Sequence, residues 1–277
     1  MILKEAMYPI QTDLSEATLI KTTRLNLCEL FRYVSKSHPE EHFENERFSR
    51  WHTPLAFPWF NGVLCSSAPQ EGDEAFVRAT IEYFRQRNVT VFTWWIEPQV
   101  EAAEWESLLT DYGFGFSNSS RGMAIDLQAM SEPQQPVEGL EIRTVEDEKT
   151  MRVWAHVFVN GYGLPPDWEG AWLEVWKKMG LDFPMRNYIG YLNGEPVSTS
   201  SVFLGAGVAG IYSVATMPQA RGKGIGAAVT VKPLQEAHAM GYRIGILQSS
   251  EMGFPVYKRL GFKDLGPVEN FYLRLAS

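Results

Sequence analysis

Glycines and cationic residues alternate in one short segment of the chain, and their spacing predicts a phosphate-binding turn. Residues 221–227 read RGKGIGA. The preceding segment Ile211–Thr216 predicts a strand, because β-branched and aromatic side chains suit a half-buried pleated surface. Pro218 ends that strand, and a helix is predicted from Ala227 to Gly241.

This turn suits an anionic ligand for a physical reason. The first N–H groups of a helix have no partner inside it, and the helix dipole leaves that end partly positive. Gly222, Gly224 and Gly226 carry no Cβ atoms that would keep a phosphate away from those donors. Arg221 and Lys223 add positive charge, so the segment predicts a diphosphate site.

Two common phosphate-binding motifs do not fit these residues. A Walker A loop requires Ser or Thr directly after its lysine, but Gly224 follows Lys223. A dinucleotide fingerprint requires a further glycine where Ala227 or Val229 stands. Both nucleotide-binding readings are therefore poor.

A second motif follows the predicted helix. A strand is predicted at Arg243–Ser249, and Pro255 and Gly261 can start and stop a short helix. Val256 and Leu260 lie four residues apart and are predicted to face the core together, which would direct Tyr257 elsewhere.

The two motifs together resemble the GNAT family of acetyl-CoA-dependent N-acyltransferases. The family's coenzyme loop reads Arg/Gln-x-x-Gly-x-Gly/Ala, which Arg221, Gly224 and Gly226 match without a gap. A tyrosine followed four residues later by Gly-Phe resembles the family's last motif, and here it is Tyr257 before Gly261-Phe262. The resemblance is specific over Ile211–Phe262 and weaker elsewhere.

The resemblance implies an α/β fold with a mixed sheet (the α+β GNAT-like acyltransferase fold), and acetyl-CoA as the acyl donor. Pantetheine would lie in a gap between the strands that end at Thr216 and Ser249, and loop N–H groups would hold the diphosphate. Ser250 stands where the family often has an asparagine that contacts the pantetheine arm. The implied coenzyme-binding residues are Val214, Ala215, Thr216, Arg221, Gly222, Lys223, Gly224, Ile225, Gly226, Ala227 and Ser250.

The resemblance also implies catalytic roles. Tyr257 would protonate the departing thiolate, since general acid catalysis contributes roughly 10²–10⁴-fold. The predicted central strand Ile211–Thr216 contains no carboxylate, so the base is either Glu251, the nearest carboxylate along the chain, or a water relay. Tyr162, in a glycine-flanked break between two predicted helices, is the candidate for contacting an amine acceptor. A CoA-binding sensor or scaffold without catalysis, and an enzyme for alcohol or thiol acceptors, remain alternatives.

Composition bounds these readings. The 277 residues carry a net charge of −8, which argues against a general nucleic-acid binder. Cys28 and Cys65 show no metal-ligand spacing, so we expect buried reduced thiols and no metal. The sequence shows no signal peptide and no apolar run long enough for a membrane span, which predicts a cytoplasmic protein with no membrane partner.

The first half repeats an order of elements. Helices are predicted at Asp13–Ser35, with an Asp13/Glu16 capping box, at Asp73–Arg87 and at Val100–Tyr112, and strands at Val89–Trp95 and Met123–Leu127. Helix, strand, helix, Gly-Phe and strand recur after Gly222, so we predict two related domains in tandem. The expected division is 1–130 for a degenerate copy without coenzyme binding, 131–139 for a linker, and 140–277 for the catalytic domain. Leu109 takes the place of Tyr257 in the first copy.

The second half supplies further elements. Helices are predicted at Glu146–Asn160 and after Asp167 as a cap, and a hairpin at Asn193-Gly194. The tryptophans of the second helix are expected more often in a core than in a pocket. Pro233 lies inside the helix after the glycine loop and predicts a bend near Val229, at a cost of about 3 kcal/mol unless compensated.

Overall fold

A computed structural model describes residues 9–55, 60–97, 100–130 and 136–275. The helices are α1 (Glu16–Ser35), α2 (Asp73–Gln86), α3 (Ala102–Asp111), α4 (Glu148–Tyr162), α5 (Trp168–Met179), α6 (Ile225–Ala239) and α7 (Phe254–Leu260). The strands are β1 (His42–Glu44), β2 (Phe48–Trp51), β3 (Gly62–Cys65), β4 (Val91–Ile96), β5 (Gly115–Asp126), β6 (Leu140–Thr144), β7 (Met185–Leu192), β8 (Glu195–Gly205), β9 (Val208–Thr216), β10 (Ile244–Ser249) and β11 (Lys263–Arg274). The predicted mixed α/β fold is confirmed.

The chain forms two compact units. Unit 1 takes the segments 1–27 and 120–266, and unit 2 takes 28–119 and 267–277. The units are therefore assembled differently from the linear division 1–130, 131–139 and 140–277, since each takes two separate stretches of the chain. The linear division stays a proposal about where the two sequence copies begin and end.

Unit 1 contains a sheet with the strand order β6-β7-β8-β9-β10-β5. All of its neighbours are antiparallel except β9 and β10, which run parallel. The β7–β8 hairpin turns at Asn193 and Gly194, which have φ angles of +51° and +87°. These left-handed residues are what a type I′ turn requires, and they confirm the hairpin predicted from the Asn-Gly pair.

Unit 2 contains the order β1-β2-β3-β4-β11, again antiparallel except for one parallel pair, β3 and β4. The strand that follows α3 pairs with β10 of unit 1 through Arg121–Asp126. The strand that follows α7 pairs with β4 of unit 2 through Phe271–Arg274. The strand after α3 of unit 2 thus pairs within unit 1, and the strand after α7 of unit 1 pairs within unit 2.

The helices mostly lie within one to three residues of their predicted bounds, but two predicted caps are wrong. Asp13 makes no capping box with Glu16, because its carboxylate accepts bonds from Ser15 and Thr18 instead. Asp167 precedes α5 in helical conformation without capping it. Carbonyls of Pro165 and Pro166 accept the first N–H groups there, so no side-chain cap is needed.

The interiors of both units are aromatic. Trp94 and Trp95 are adjacent in β4, and both are buried, at 0% and 3% exposure. The reason is that β4 is covered on both faces. Trp172 and Trp176 of α5 are buried as well, which confirms the prediction that the tryptophans of this helix belong to the core. Cys28 and Cys65 are buried free thiols, as predicted. Among the described helices, none has the length and apolarity to cross a bilayer.

Candidate active site

A cleft of about 1360 Å³ in unit 1 brings the predicted site residues together. It is formed by the ends of β9 and β10, the loop before α6, the C-terminal end of α4, and α7. Its lining includes each residue that the sequence nominated: Tyr162, Val214, Ala215, Thr216, Arg221, Gly222, Lys223, Gly224, Ile225, Gly226, Ala227, Ser250, Glu251 and Tyr257. Residues separated by up to 95 positions therefore meet in one place.

The cleft begins where two parallel strands separate. β9 and β10 pair at three positions, and the last pair joins Ile211 to Leu247. β9 nevertheless continues to Thr216 and β10 to Ser249. Beyond Ile211, the edge of β9 that faces β10 makes no recorded ladder contact among the described residues. The gap expected from the resemblance is present, and it can accept an extended ligand arm as an added strand.

Buried hydroxyls on β8 hold β9 in an irregular conformation beside this gap. The β8–β9 register shifts between Thr199 and Ser201, opposite Ser213, which has a φ angle of +52°. The Thr199 hydroxyl donates to the Ser213 carbonyl at 2.9 Å, and the Ser198 hydroxyl donates to the Ala215 carbonyl at 2.6 Å. A bulge of this kind bends a strand and re-aims its groups, here at the mouth of the gap.

The loop before α6 requires glycine at two positions. Gly222 and Gly224 have φ angles of +76° and +80°, which side chains with a Cβ rarely adopt. Gly226 is different, because a Cβ built there would meet nothing closer than the Thr216 Oγ1 atom at 3.7 Å. The protein itself leaves room at Gly226, so its missing side chain keeps backbone open to a ligand.

The first turn of α6 presents unpaired donors to the cleft. The residue at the helix start, Gly224, offers no side-chain cap, and the first return bond runs from the Ala228 N–H to the Gly224 carbonyl at 3.1 Å. Within the described part of the chain, the N–H groups of Ile225, Gly226 and Ala227 have no recorded backbone acceptor. Such an end favours an anion. The residues therefore fit a diphosphate.

Arg221 plays a part that the sequence did not reveal. Its Nε atom donates to the Thr216 carbonyl at 3.0 Å, and its Nη2 atom donates to the Gly161 carbonyl at 2.8 Å. The guanidinium therefore joins the glycine loop to the end of β9 and to the end of α4, besides carrying charge. Lys223 is exposed on the same loop and presents the second cation.

Tyr257 lines the cleft but is more enclosed than predicted. Its side chain is 9% exposed and packs in the core of unit 1 with Leu260 and Phe262. Val256, which was predicted to face the core, is half-buried and lines the cleft. The prediction is wrong on this point because Tyr257 and Leu260, three residues apart, share the buried face of the short α7.

Burial also keeps the phenol neutral. It raises the pKa of Tyr257 to about 12, against the smaller lowering by a hydrogen bond with the Thr230 side chain. A phenol with this pKa holds its proton throughout the physiological range. The group can therefore donate a proton at the cleft and cannot act as a base there.

The remaining nominated residues lie at the mouth of the cleft. Glu251 is exposed, and it is the one carboxylate among the described lining residues. The Ser250 hydroxyl accepts the Gly253 N–H at 3.3 Å. Tyr162 is 52% exposed, and its ring lies tilted by 36° against that of Phe158, with 5.4 Å between ring centroids. It presents a phenol ring at the end of α4.

Sequence reasoning missed several lining residues, among them Gly161, Met252 and Arg259. Arg259 was missed because it follows Val256 by three residues and shares its helix face, and Val256 was predicted to face the core. Gly161 gave no such signal. A Cβ there would approach the Thr216 backbone at 3.3 Å, so its glycine lets α4 pack closely against β9.

Comparison with known proteins agrees with this geometry. Residues 206–264 match the model of the acetyltransferase (GNAT) domain, which confirms the resemblance over that segment. A GCN5-related N-acetyltransferase from Kribbella flavida superposes with a TM-score of 0.62 at 13% identity, covering 96% of this chain and 98% of that chain. The chain has the GNAT acetyltransferase fold.

Other solved GNAT structures are similar over most of their length. One from Sphaerobacter thermophilus gives a TM-score of 0.59 at 16% identity, with 93% of this chain and 91% of that chain covered. A tandem GNAT protein from the clavulanic acid biosynthesis pathway gives 0.56 at 12% identity, with 95% of each chain covered. Curated protein sequences gave no significant match. The GNAT match supports acyl transfer as the class of reaction.

Proposed function

We propose that the chain transfers an acyl group, acetyl in the first instance, from acyl-CoA to an amine of a small molecule or peptide. One observation carries the proposal. A single cleft contains the open N-terminal end of α6, the separated edges of β9 and β10, and the neutral phenol of Tyr257. Each of these features serves a different part of an acyl-CoA molecule.

The glycine loop would bind the diphosphate. N–H groups from Gly222 to Ala227 would donate to it, and the positive charges of Arg221 and Lys223 would favour the same anion. The backbone of Val214, Ala215 and Thr216 would pair with the amides of the pantetheine arm. Ser250 would contribute a hydroxyl to that arm. Acetyl-CoA supplies the acyl group and a thiolate leaving group.

Tyr257 would act as the general acid. The amine nitrogen forms a bond to the acyl carbon, the carbon–sulfur bond breaks, and the phenol gives its proton to the departing sulfur. The pKa of about 12 supports this role because the acid form is the populated one at neutral pH. The proton lost by the amine would pass to Glu251 or through water to solvent. Solvent then returns a proton to Tyr257.

Tyr162 would contact the acceptor. Its half-exposed ring is that of the last residue of α4, and the carbonyl of the preceding Gly161 is bonded to Arg221 of the glycine loop. We also propose the tandem arrangement, with catalysis in 140–277 and a copy at 1–130 that binds no coenzyme. The closed start of α2 supports the absence of coenzyme binding in the first copy, because the N–H groups of Asp73 and Ala75 already donate to the Gln70 and Gly72 carbonyls.

Two measurements test the function. Calorimetric titration with CoA should show one site per chain, and thiol release from acetyl-CoA should rise with at least one acceptor. The acceptor panel comprises simple amines, aminoglycosides, amino acids and peptides, with matched alcohols and thiols. An absence of CoA binding would refute the proposal.

A sensor or scaffold that binds CoA without turnover is the second candidate. The observation in its favour is that the one described carboxylate of the lining, Glu251, is exposed and belongs to no recorded ion pair or hydrogen bond. CoA binding with no thiol release across the whole panel would favour the sensor. Release with alcohols or thiols alone would reassign the acceptor class.

A further inference from the structure

Pro233 creates an unusual carbonyl in the helix that begins the proposed diphosphate site. It lies inside α6, which is otherwise continuous from Ile225 to Ala239. A proline has no N–H, so it cannot donate to the carbonyl four residues earlier, which belongs to Val229. A buried carbonyl without a donor is costly, so this one needs another partner.

Ser200 provides that partner from outside the helix. Its hydroxyl on β8 donates to the Val229 carbonyl at 2.6 Å, and both residues are fully buried. Ser200 lies within the register shift of the β8–β9 pair, between the paired residues Thr199 and Ser201. The hydroxyls of these two neighbours bond elsewhere, to the Ser213 carbonyl and to the Asn187 side chain.

The bond lies close to the ligand-binding end of α6. Val229 is four residues after the helix start, and its side chain packs in a buried cluster with Ile225, Ala220 and Val197. The Thr230 hydroxyl donates back to the Gly226 carbonyl at 2.8 Å, so the first turns are held internally as well. The hydrogen bond from the Ser200 side chain connects the backbone of these turns to the sheet.

We propose that Ser200 is a positioning residue for the coenzyme site, acting through the Val229 carbonyl that Pro233 leaves available. The Ser200–Val229 bond fastens the first two turns of α6 to β8, which also carries the hydroxyls that shape β9. The N–H groups of the helix start and the backbone of β9 are thereby held at a fixed separation. This inference rests on the proposed binding of CoA in this cleft.

The test is a double-mutant cycle with CoA and pantetheine as the titrants. Ser200→Ala should weaken CoA binding about tenfold, the effect expected of one lost buried hydrogen bond. Pantetheine lacks the diphosphate, so its dissociation constant, measured by competition with CoA, should change less than twofold in Ser200→Ala. In a Pro233→Ala background the restored N–H can donate to Val229, and Ser200→Ala should then cost no more than about twofold in CoA affinity.

The matched control is Ser201→Ala. It removes a neighbouring buried hydroxyl on the same strand, which donates to the Asn187 side chain at 2.5 Å and not to a carbonyl of α6. The midpoint temperature of thermal unfolding should fall for both serine variants, while CoA affinity should fall for Ser200→Ala alone. If wild type fails to bind CoA, the proposed function is wrong. If wild type binds and Ser200→Ala binds equally well, or Pro233→Ala gives no rescue, the positioning role is wrong.

Discussion

The helices that begin at Ile225 and at Asp73 start alike but are completed differently. Each follows a glycine in the left-handed conformation, Gly224 at +80° and Gly72 at +93°. At α2, the buried Asp73 carboxylate accepts the Gln70 N–H at 2.7 Å and pairs with Arg47 at 2.6 Å. The first N–H groups of α2 are also satisfied locally, since those of Asp73 and Ala75 donate to the Gln70 and Gly72 carbonyls. The start of α2 is therefore closed, whereas the start of α6 is open to an anion from outside.

The parallel strands beside the two helices differ in the same way, since one pair stays together and the other separates. β3 and β4 pair along the whole of Gly62–Cys65, and the Glu97 N–H continues the ladder to the Cys65 carbonyl at 2.8 Å. β9 and β10 separate after three pairs. The short helices also differ, since the buried Leu109 of α3 corresponds to Tyr257 in the alignment of the two Gly-Phe pairs. The same order of elements is thus closed in unit 2 and open in unit 1.

Removing the phenol hydroxyl of Tyr257 should change activity more than any other substitution compared between the two units. Tyr257→Phe should lower kcat by about 10²–10⁴-fold, because the leaving thiolate loses its proton donor, while the Kd for CoA should change little. Steady-state kinetics and titration on the same preparation measure both. The matched control in unit 2 is Tyr112→Phe, which removes a hydroxyl bonded to Arg78 and should leave kcat unchanged.

The pH profile adds a second check on Tyr257. Because burial raises its pKa to about 12, the acid form persists as pH rises, and its deprotonation should cause no loss of rate below about pH 11. A rate loss near pH 10 that Tyr257→Phe removes would contradict the enclosed, neutral phenol.

Gly226→Ala should separate stability from binding. A Cβ has room in the protein, and replacing a helical glycine should stabilise the fold by about 0.5–1 kcal/mol. The same Cβ would meet the diphosphate, so CoA should bind about 10–100-fold more weakly through lost charge-assisted hydrogen bonds. Glu74→Ala, at the same place in α2, should leave CoA affinity unchanged. If Gly226→Ala binds CoA as tightly as wild type, the diphosphate does not bind at this turn.

Arg221→Lys separates charge from geometry. Lysine keeps the charge but cannot donate to the Thr216 and Gly161 carbonyls from one planar group, so we expect about tenfold weaker CoA binding. Arg221→Glu should bind still more weakly, because it also reverses the charge. Arg47→Lys is the counterpart at the start of α2 and should leave CoA affinity unchanged. Wild-type affinity in Arg221→Lys would show that charge alone matters.

Asp73→Ala should have the smallest effect on the coenzyme and tests whether unit 2 is closed by more than one feature. Removing the carboxylate should lower the free energy of unfolding by about 1–3 kcal/mol, since Arg47 and the Gln70 N–H lose their acceptor. The paired β3 and β4 should still exclude a pantetheine arm. Calorimetry should therefore find an unchanged CoA stoichiometry, and a second equivalent of CoA would contradict this explanation.

Sequence reasoning found the site because its main signals are local. A strand, an Arg-x-x-Gly-x-Gly turn and a helix place N–H donors through backbone geometry alone, and the structure places that loop directly before α6. It failed where distant partners decide the outcome. Tyr257 was predicted to avoid the core, yet core packing encloses it. Asp167 was predicted to cap α5, yet the preceding proline carbonyls accept those N–H groups.

The amino-acid sequence by itself determined the glycine conformations, the order of the elements and the residue types that meet in the cleft. The tertiary structure alone decided that β9 and β10 separate, that closing strands are exchanged between units, and that Arg221 reaches a carbonyl 60 residues away. It also decided that Ser200 would satisfy the carbonyl that Pro233 leaves without a donor. The reason is that a turn obeys the torsions of its own residues, whereas a hydrogen bond between distant segments exists only after the chain has brought them together.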